Sequence, residues 1–121
     1  MQVRFWEALR RVDDRKTKVY GMVGLAARAG KIVSGSDAVI GAIRAGNAKL
    51  LIITKDISRN SLDKILKNTG SEEITCYSFG TSEELGSALG KPDRTVAAIT
   101  DKSFAEGISA ILENINEEED T

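Results

Sequence analysis

The chain has no histidine and a single cysteine among its 121 residues. Without histidine the commonest general base and metal ligand is missing, which excludes Ser-His-Asp triads, Cys-His dyads and imidazole-based zinc sites. With Cys76 alone, no intrachain disulfide can form. None is needed, because a chain of this length can bury one sizeable core without staples. No apolar run approaches the ~18 residues of a membrane span, and the opening MQVRFWEALRR lacks the apolar core of a secretory signal. Neither G-x-G-x-x-G nor G-x-x-x-x-G-K-[ST] occurs, so dinucleotide and P-loop sites have no support. The expectation is a cytoplasmic, non-enzymatic protein with no membrane segment, no metal and no cofactor.

What is present looks globular. Hydrophobic residues make up 41% and charged residues 29%, ordinary usage for a folded domain. The net charge of −1 conceals a polarity along the chain. Every Lys and Arg lies within residues 1–102, and residues 103–121 carry only acids. Arg4, Arg10, Arg11, Arg15, Lys16, Lys18, Arg28 and Lys31 make residues 1–31 basic. A basic head and an acidic tail suggest a polyanion-facing end and a solvating end. The division expected is a basic, helix-prone extension over 1–16, one α/β domain over 17–112, and an acidic tail over 113–121.

Periodicity supplies the elements. Phe5, Trp6, Leu9 and Val12 sit at helical spacing within 2–15. Thr17 can cap a stronger helix carrying Tyr20, Val23 and Ala27 in a stripe, with Met22, Leu25, Ala26 and Ala29 nearby, and Gly30 ends it. Lys31-Ile32-Val33 allows only a short strand. Ser34, Ser36 or Asp37 then caps a helix with Val39, Ile40, Ala42 and Ile43 inward, ended by Gly46. Leu50-Leu51-Ile52-Ile53-Thr54 has the continuous apolar character of a buried central strand. Ser58 to Asn68 reads as a helix with Leu62, Ile65 and Leu66 inward, closed by Gly70. Ile74 to Phe79 is a strand of mixed alternation. Thr81-Ser82-Glu83-Glu84 is a capping box opening a helix to Gly90. Val96 to Thr100 is a second buried strand, and Asp101 caps a last helix with Phe104, Ile108, Ile111, Leu112 and Ile115 inward. Alternation of this kind argues for a layered α/β sandwich of about four strands.

Little of this sequence suggests catalysis. Cys76 reads as a small buried hydrophobe, since no cationic motif lowers its pKa. Asp13-Asp14, Asp56 and Lys102 occur in the order of a phosphoacceptor receiver domain. Such a domain, however, needs its paired acids at the end of a buried strand, and here they follow a polar, helix-prone stretch. The more suggestive segment is Lys31-Ile32-Val33-Ser34-Gly35-Ser36-Asp37-Ala38-Val39-Ile40. Small residues leading into an apolar helix present backbone N–H groups and positive helix dipole, where a phosphate or base edge can dock.

Several stretches in register carry a resemblance. Gly24-Leu25-Ala26-x-Arg28-Ala29-Gly30-Lys31-x-Val33-Ser34-Gly35 comes first, then Ala42-Ile43-Arg44-x-Gly46-x-Ala48-Lys49-Leu50. Asp56-x-Ser58-x-Asn60, Glu84-Leu85-Gly86-x-Ala88-x-Gly90 and Thr100-Asp101-Lys102-x-Phe104-Ala105 follow. Together, over roughly residues 17–110, they resemble the kink-turn RNA-binding ribosomal proteins of the large subunit, in their bacterial YlxQ-like branch. The resemblance implies a three-layer α/β/α sandwich with a mixed four-stranded sheet, and binding to a sharply bent RNA internal loop. It implies that the second helix enters the opened groove by its N-terminus, with an Asn, a following Glu and a Lys one turn on contacting RNA, and that a loop before the last strand covers a flipped nucleotide with apolar side chains. Here Asp37, Ala38 and Gly41 stand at the Asn, Glu and Lys positions, and Lys91-Pro92-Asp93-Arg94 replaces the apolar triplet. Ionised Asp accepts but does not donate, and a missing Lys removes a phosphate contact. The RNA-binding residues expected are Lys31, Gly35, Ser36, Asp37, Arg44, Arg59, Lys91 and Arg94, with the cations flanking the start of the second helix. The partner expected is structured, ribosomal RNA rather than DNA, with the ribosome or a protein as a further partner. An alternative is a protein–protein adaptor that keeps the fold without kink-turn recognition.

Overall fold

The computed structural model describes residues 5–70 and 73–119, and the side chains of 14–70 and 73–115. Five helices alternate with four strands: α1 (Phe5–Arg28), β1 (Ile32–Ser34), α2 (Ser36–Arg44), β2 (Leu50–Ile53), α3 (Arg59–Thr69), β3 (Thr75–Ser78), α4 (Ser82–Leu89), β4 (Val96–Ile99) and α5 (Lys102–Glu119). The sheet order is β1-β4-β2-β3, with β2 and β3 parallel and β4 antiparallel to both β1 and β2. The mixed four-stranded sheet expected from the resemblance is therefore formed.

Two apolar layers account for the sandwich. On one face Leu50, Ile52, Ala97 and Ile99 pack with Val19 and Val23 of α1, Leu85 of α4, and Ile108, Leu112 and Ile115 of α5. On the other, Leu51, Ile53, Val96 and Ala98 pack with Val39, Ile40 and Ile43 of α2 and Ile65 of α3. The alternation along β2 and β4 assigns successive residues to opposite cores. Both strands are buried at all four positions for that reason, as the apolar runs predict.

Several local expectations need correction. Helix α1 runs unbroken through Thr17, so Thr17 caps nothing. Lys16 pairs with Glu84 of α4, which ties the end of the supposed extension to the sandwich. The apolar side chains at 5, 6, 9 and 12, and the acids at 117–120, lie outside the described side chains. Helix α5 continues through Glu119. Leu66 and Leu25 are each half exposed; α3 buries only Ile65 fully, because a short surface helix presents one narrow stripe to the sheet. Cys76 is exposed, since β3 is an edge strand that buries only Tyr77.

Strand direction matters most for function. Because β1, β2 and β3 run one way, α2, α3 and α4 all begin at the same end of the sheet, where β4 starts. At the other end lie the starts of β1 and β2, the end of β4 and the first turn of α5.

Candidate nucleic-acid interface

Three helix N-termini converge at one sheet end, and each leaves backbone donors to be satisfied. Two are closed by the protein itself. In α3 the Ser58 hydroxyl accepts from the Ser61 amide. In α4 Thr81 and Glu84 form a reciprocal capping box, and the Asp56 carboxylate accepts from the Ser82 amide at 3.0 Å and hydroxyl at 2.8 Å. Helix α2 differs. Its N-cap is Gly35, and no side chain caps it; the expected caps Ser34, Ser36 and Asp37 do not serve.

Gly35 adopts φ +89° and ψ 150°, a region nearly reserved for glycine. Its own N–H donates to the Val96 carbonyl at 3.0 Å, anchoring the turn to β4. Beyond Gly35 and its two chain neighbours, no heavy atom lies within 4 Å of the place a Cβ would occupy. The start of α2 is thus open beside Gly35, and its N-cap offers no side-chain acceptor to the first-turn amides of Ser36, Asp37 and Ala38.

A groove of ≈ 350 Å³ adjoins this turn, lined by Ile32, Ser34, Ala38, Leu89, Lys91 and Arg94 among others. That is near the lower end of ligand-pocket volumes. Its apolar wall comes from β1 and the end of α4, and its cations from the loop before β4. Arg94 is held there by its amide, which donates to the Ser82 carbonyl at 3.1 Å, and by its guanidinium, which donates to the Asp93 carbonyl at 3.1 Å. Gly86 makes the loop's position possible. A Cβ at Gly86 would lie 2.8 Å from the Pro92 carbonyl oxygen and 2.9 Å from that of Lys91, while the Lys91 amide donates to the Gly86 carbonyl.

Of the expected site residues, the structure brings Gly35, Ser36, Asp37, Lys91 and Arg94 together, with Arg59 at the start of α3 on the same sheet end. Asp37 is not isolated: Lys64 of α3 donates to its carboxylate at 3.0 Å, partly offsetting its repulsion of phosphate. Two expected residues lie elsewhere. Arg44 closes α2 at its far end, about 12 Å along the axis from Ser36, and donates to Asn68. Lys31 precedes β1, about 13 Å from Gly35 along the extended chain. Neither flanks the start of α2. Lys64 and Gly86 join the site from outside the expected set. A glycine inside the α4 helix is the sequence signal for Gly86, and Lys64 carries none, because its pairing with Asp37 depends on how α2 and α3 pack.

The receiver arrangement is not assembled. Residues 13 and 14 lie within α1 and not at a strand end, and Asp56 is committed to α4. Among the described residues no group of three His, Cys, Asp or Glu could hold a metal ion, and no described helix is long and apolar enough to cross a membrane.

The two carboxylates that close α4 carry a pH signature. The Thr54 hydroxyl and the Ser82 hydroxyl and amide hold Asp56 below its ordinary pKa. For Glu84, partial burial pushes upward, but Lys16 and Thr81 outweigh it and the net shift is downward. Depressed folded values mean that the stabilisation is complete above the ordinary carboxylate range and lost as pH falls through the folded pKa. The thermal midpoint should therefore begin to fall as pH drops below about 4, modestly, because both carboxylates face solvent. In the D56N/E84Q double variant that acid limb should flatten, as followed by circular dichroism. Equal slopes in both proteins would show that these groups are not responsible.

Residues 17–109 match the family model described as the ribosomal protein L7Ae/L30e/S12e/Gadd45 family. The chain is 36% identical over 94 residues to the RNA-binding protein YlxQ of Bacillus subtilis, covering 78% of this chain and 94% of that one. A solved structure of a protein of unknown function from Bacillus halodurans superimposes with a TM-score of 0.74 at 31% identity, covering 79% and 97%. The Giardia lamblia 15.5kD RNA binding protein shares the fold, with a TM-score of 0.67 at 18% identity over 85% of this chain and 88% of that one.

Proposed function

This chain belongs to the ribosomal protein L7Ae/L30e/S12e/Gadd45 family, and on that premise we propose that it is a non-enzymatic, cytoplasmic, ribosome-associated protein that binds structured RNA through the N-terminus of α2. The observation that carries this reading is that α2 alone, of the three helices starting at that sheet end, has no side-chain cap. Unpaired amides and helix dipole there suit a phosphate or a base edge. Lys91, Arg94 and Arg59 supply positive charge. The groove beside Ala38 receives an extruded base against Ile32 and Leu89, a mode suited to RNA loops with splayed nucleotides.

The same reading sets limits on affinity. Asp37 at the mouth cannot donate to a base, and Ala38 and Gly41 offer no polar group. Two variants of one hairpin, a kink-turn and a scrambled control, titrated across salt, test the proposal. Wild type should prefer the kink-turn, and its affinity should fall as salt rises. The D37N variant should bind it tighter, by about 1–2 kcal/mol, through a regained donor and a lost repulsion. Folding should barely change, because the Lys64–Asp37 pair is exposed and such pairs contribute little. No preference for the kink-turn, together with no response to D37N, would remove the α2 N-terminus from the interface.

A further inference from the structure

The two cations displaced from the start of α2 raise the question of what the opposite sheet end does. Three lysines lie near Thr100, the residue after β4, in the chain or across the sheet. The Thr100 amide donates to the Lys31 carbonyl at 2.9 Å, and the Lys49 amide donates to the Ile99 carbonyl at 2.8 Å. Lys31 and Lys49 thus flank the end of β4, two strand spacings or about 10 Å apart. Lys102 follows two residues after Thr100. Lys49 and Lys102 line one groove of ≈ 490 Å³, with Thr75, Ala105 and Ser109 in its wall.

Helix dipoles explain other cations on this side but not these. Arg28, Arg44 and Lys67 lie in the last turns of α1, α2 and α3, where positive charge is favoured. Lys31 and Lys49 lead into strands. Lys102 is the first residue of α5, where the dipole disfavours a cation. Internal ion pairing does not explain them either. Among the described residues Lys102 reaches one carboxylate, Glu106, at 3.9 Å while 83% exposed, and neither Lys31 nor Lys49 forms an ion pair, although Glu106 and Glu113 share a groove with Lys49. At the α2 end, by contrast, Lys64 is engaged by Asp37, Arg94 by its own loop and Lys16 by Glu84.

We propose that Lys31, Lys49 and Lys102 form a second RNA contact, which takes the phosphate backbone of a helix at the pole opposite α2 and lets one molecule bridge two RNA segments. The choice of RNA as the polyanion rests on the function proposed above. Glu106 and Glu113 line the same groove, so the lysines serve a backbone crossing the rim and not a small anion within it. The side chains are exposed, and Lys31 and Lys49 join the sheet hydrogen bonds through their backbones alone, so glutamine replacements leave the fold in place.

The test compares wild type with K31Q/K49Q/K102Q on two probes, a plain RNA duplex without an internal loop and the kink-turn hairpin. Three lost phosphate contacts, at a slope of about 0.9 each, should cut the salt dependence for the duplex by about 2–3. Between 50 and 200 mM salt that removes about 40-fold of the wild-type loss in affinity. Hairpin binding should keep its preference over the scrambled control. Unchanged duplex binding in the triple variant, or no duplex binding by wild type, overturns the second contact and leaves the α2 reading standing. Retention of polyglutamate in place of the duplex through these lysines overturns the assignment to RNA. Loss of duplex binding in the variant, with no kink-turn preference in wild type, supports the second contact and removes the α2 reading.

Discussion

An Ile99→Ala variant is expected to lose about 2–5 kcal/mol of folding stability. Ile99 is fully buried in β4, with Ile32 and Leu50 as its partners across the two neighbouring strands. Its side chain belongs to the core shared by α1, α4 and α5. Truncation removes three methyl or methylene groups' worth of transfer free energy and leaves a cavity walled by β-sheet on one side and three helices on the other. A central strand hydrogen-bonded on both edges does not collapse inward to fill it, which places the cost toward the upper part of the range. A domain of this kind has only about 5–15 kcal/mol in total. Urea denaturation reads the effect as a lower midpoint at an unchanged slope. Ile99→Val, which keeps most of the volume, should cost about 0.5–1.5 kcal/mol. A loss below about 1 kcal/mol in the alanine variant would contradict the packing described.

Gly86→Ala should disable the interface through the loop and not through the core. The added Cβ meets two carbonyl oxygens, of Lys91 and Pro92, at less than 3.0 Å. Backbone atoms cannot rotate aside as a side chain does. Either α4 shifts or the loop carrying Lys91 and Arg94 lifts away, and overpacking of this kind costs about 1–3 kcal/mol. Falling on the loop, that cost corresponds to a loss of roughly five- to 150-fold in affinity for structured RNA. Gly41→Ala is the control. Gly41 lies within α2, has no positive φ and has nothing within 4 Å of a Cβ, so alanine there should stabilise by about 0.5–1 kcal/mol. A Gly86→Ala protein with wild-type stability and wild-type binding would show that the loop does not pack its Lys91 and Pro92 carbonyls against Gly86.

Much of the fold was legible because each signal was local. The apolar runs at 50–54 and 96–100 gave the two central strands, the Thr81–Glu84 box gave the start of α4, and Gly30, Gly46 and Gly90 marked helix ends, all three with positive φ. Asp101 caps α5 as expected, accepting from the Phe104 amide at 2.9 Å. What escaped depends on tertiary placement. Cys76 sits in a run that looks buried, but edge position decides its exposure. Leu66 has helical spacing, but α3 is too peripheral to bury it. Thr17 is a good cap residue inside a helix that does not stop there.

The candidate site divides the same way. Gly35, Ser36 and Asp37 were legible as a small-residue helix start. Lys91 and Arg94 join them because β4 runs opposite to β1 and begins beside Gly35. Lys31 and Arg44, equally basic and near in sequence, go to the other pole because a strand and a helix each carry them about 12–13 Å away. Charge along a sequence gives no direction in space until strand polarity is known.

The most direct measurement is amide chemical-shift mapping by nuclear magnetic resonance, with a kink-turn hairpin added to labelled protein at low salt. The largest changes should fall on Gly35, Ser36, Asp37 and Ala38 and on Lys91, Asp93 and Arg94, with smaller ones at Arg59. Changes confined to other surfaces, with the amides at the start of α2 unmoved at saturation, would contradict the account.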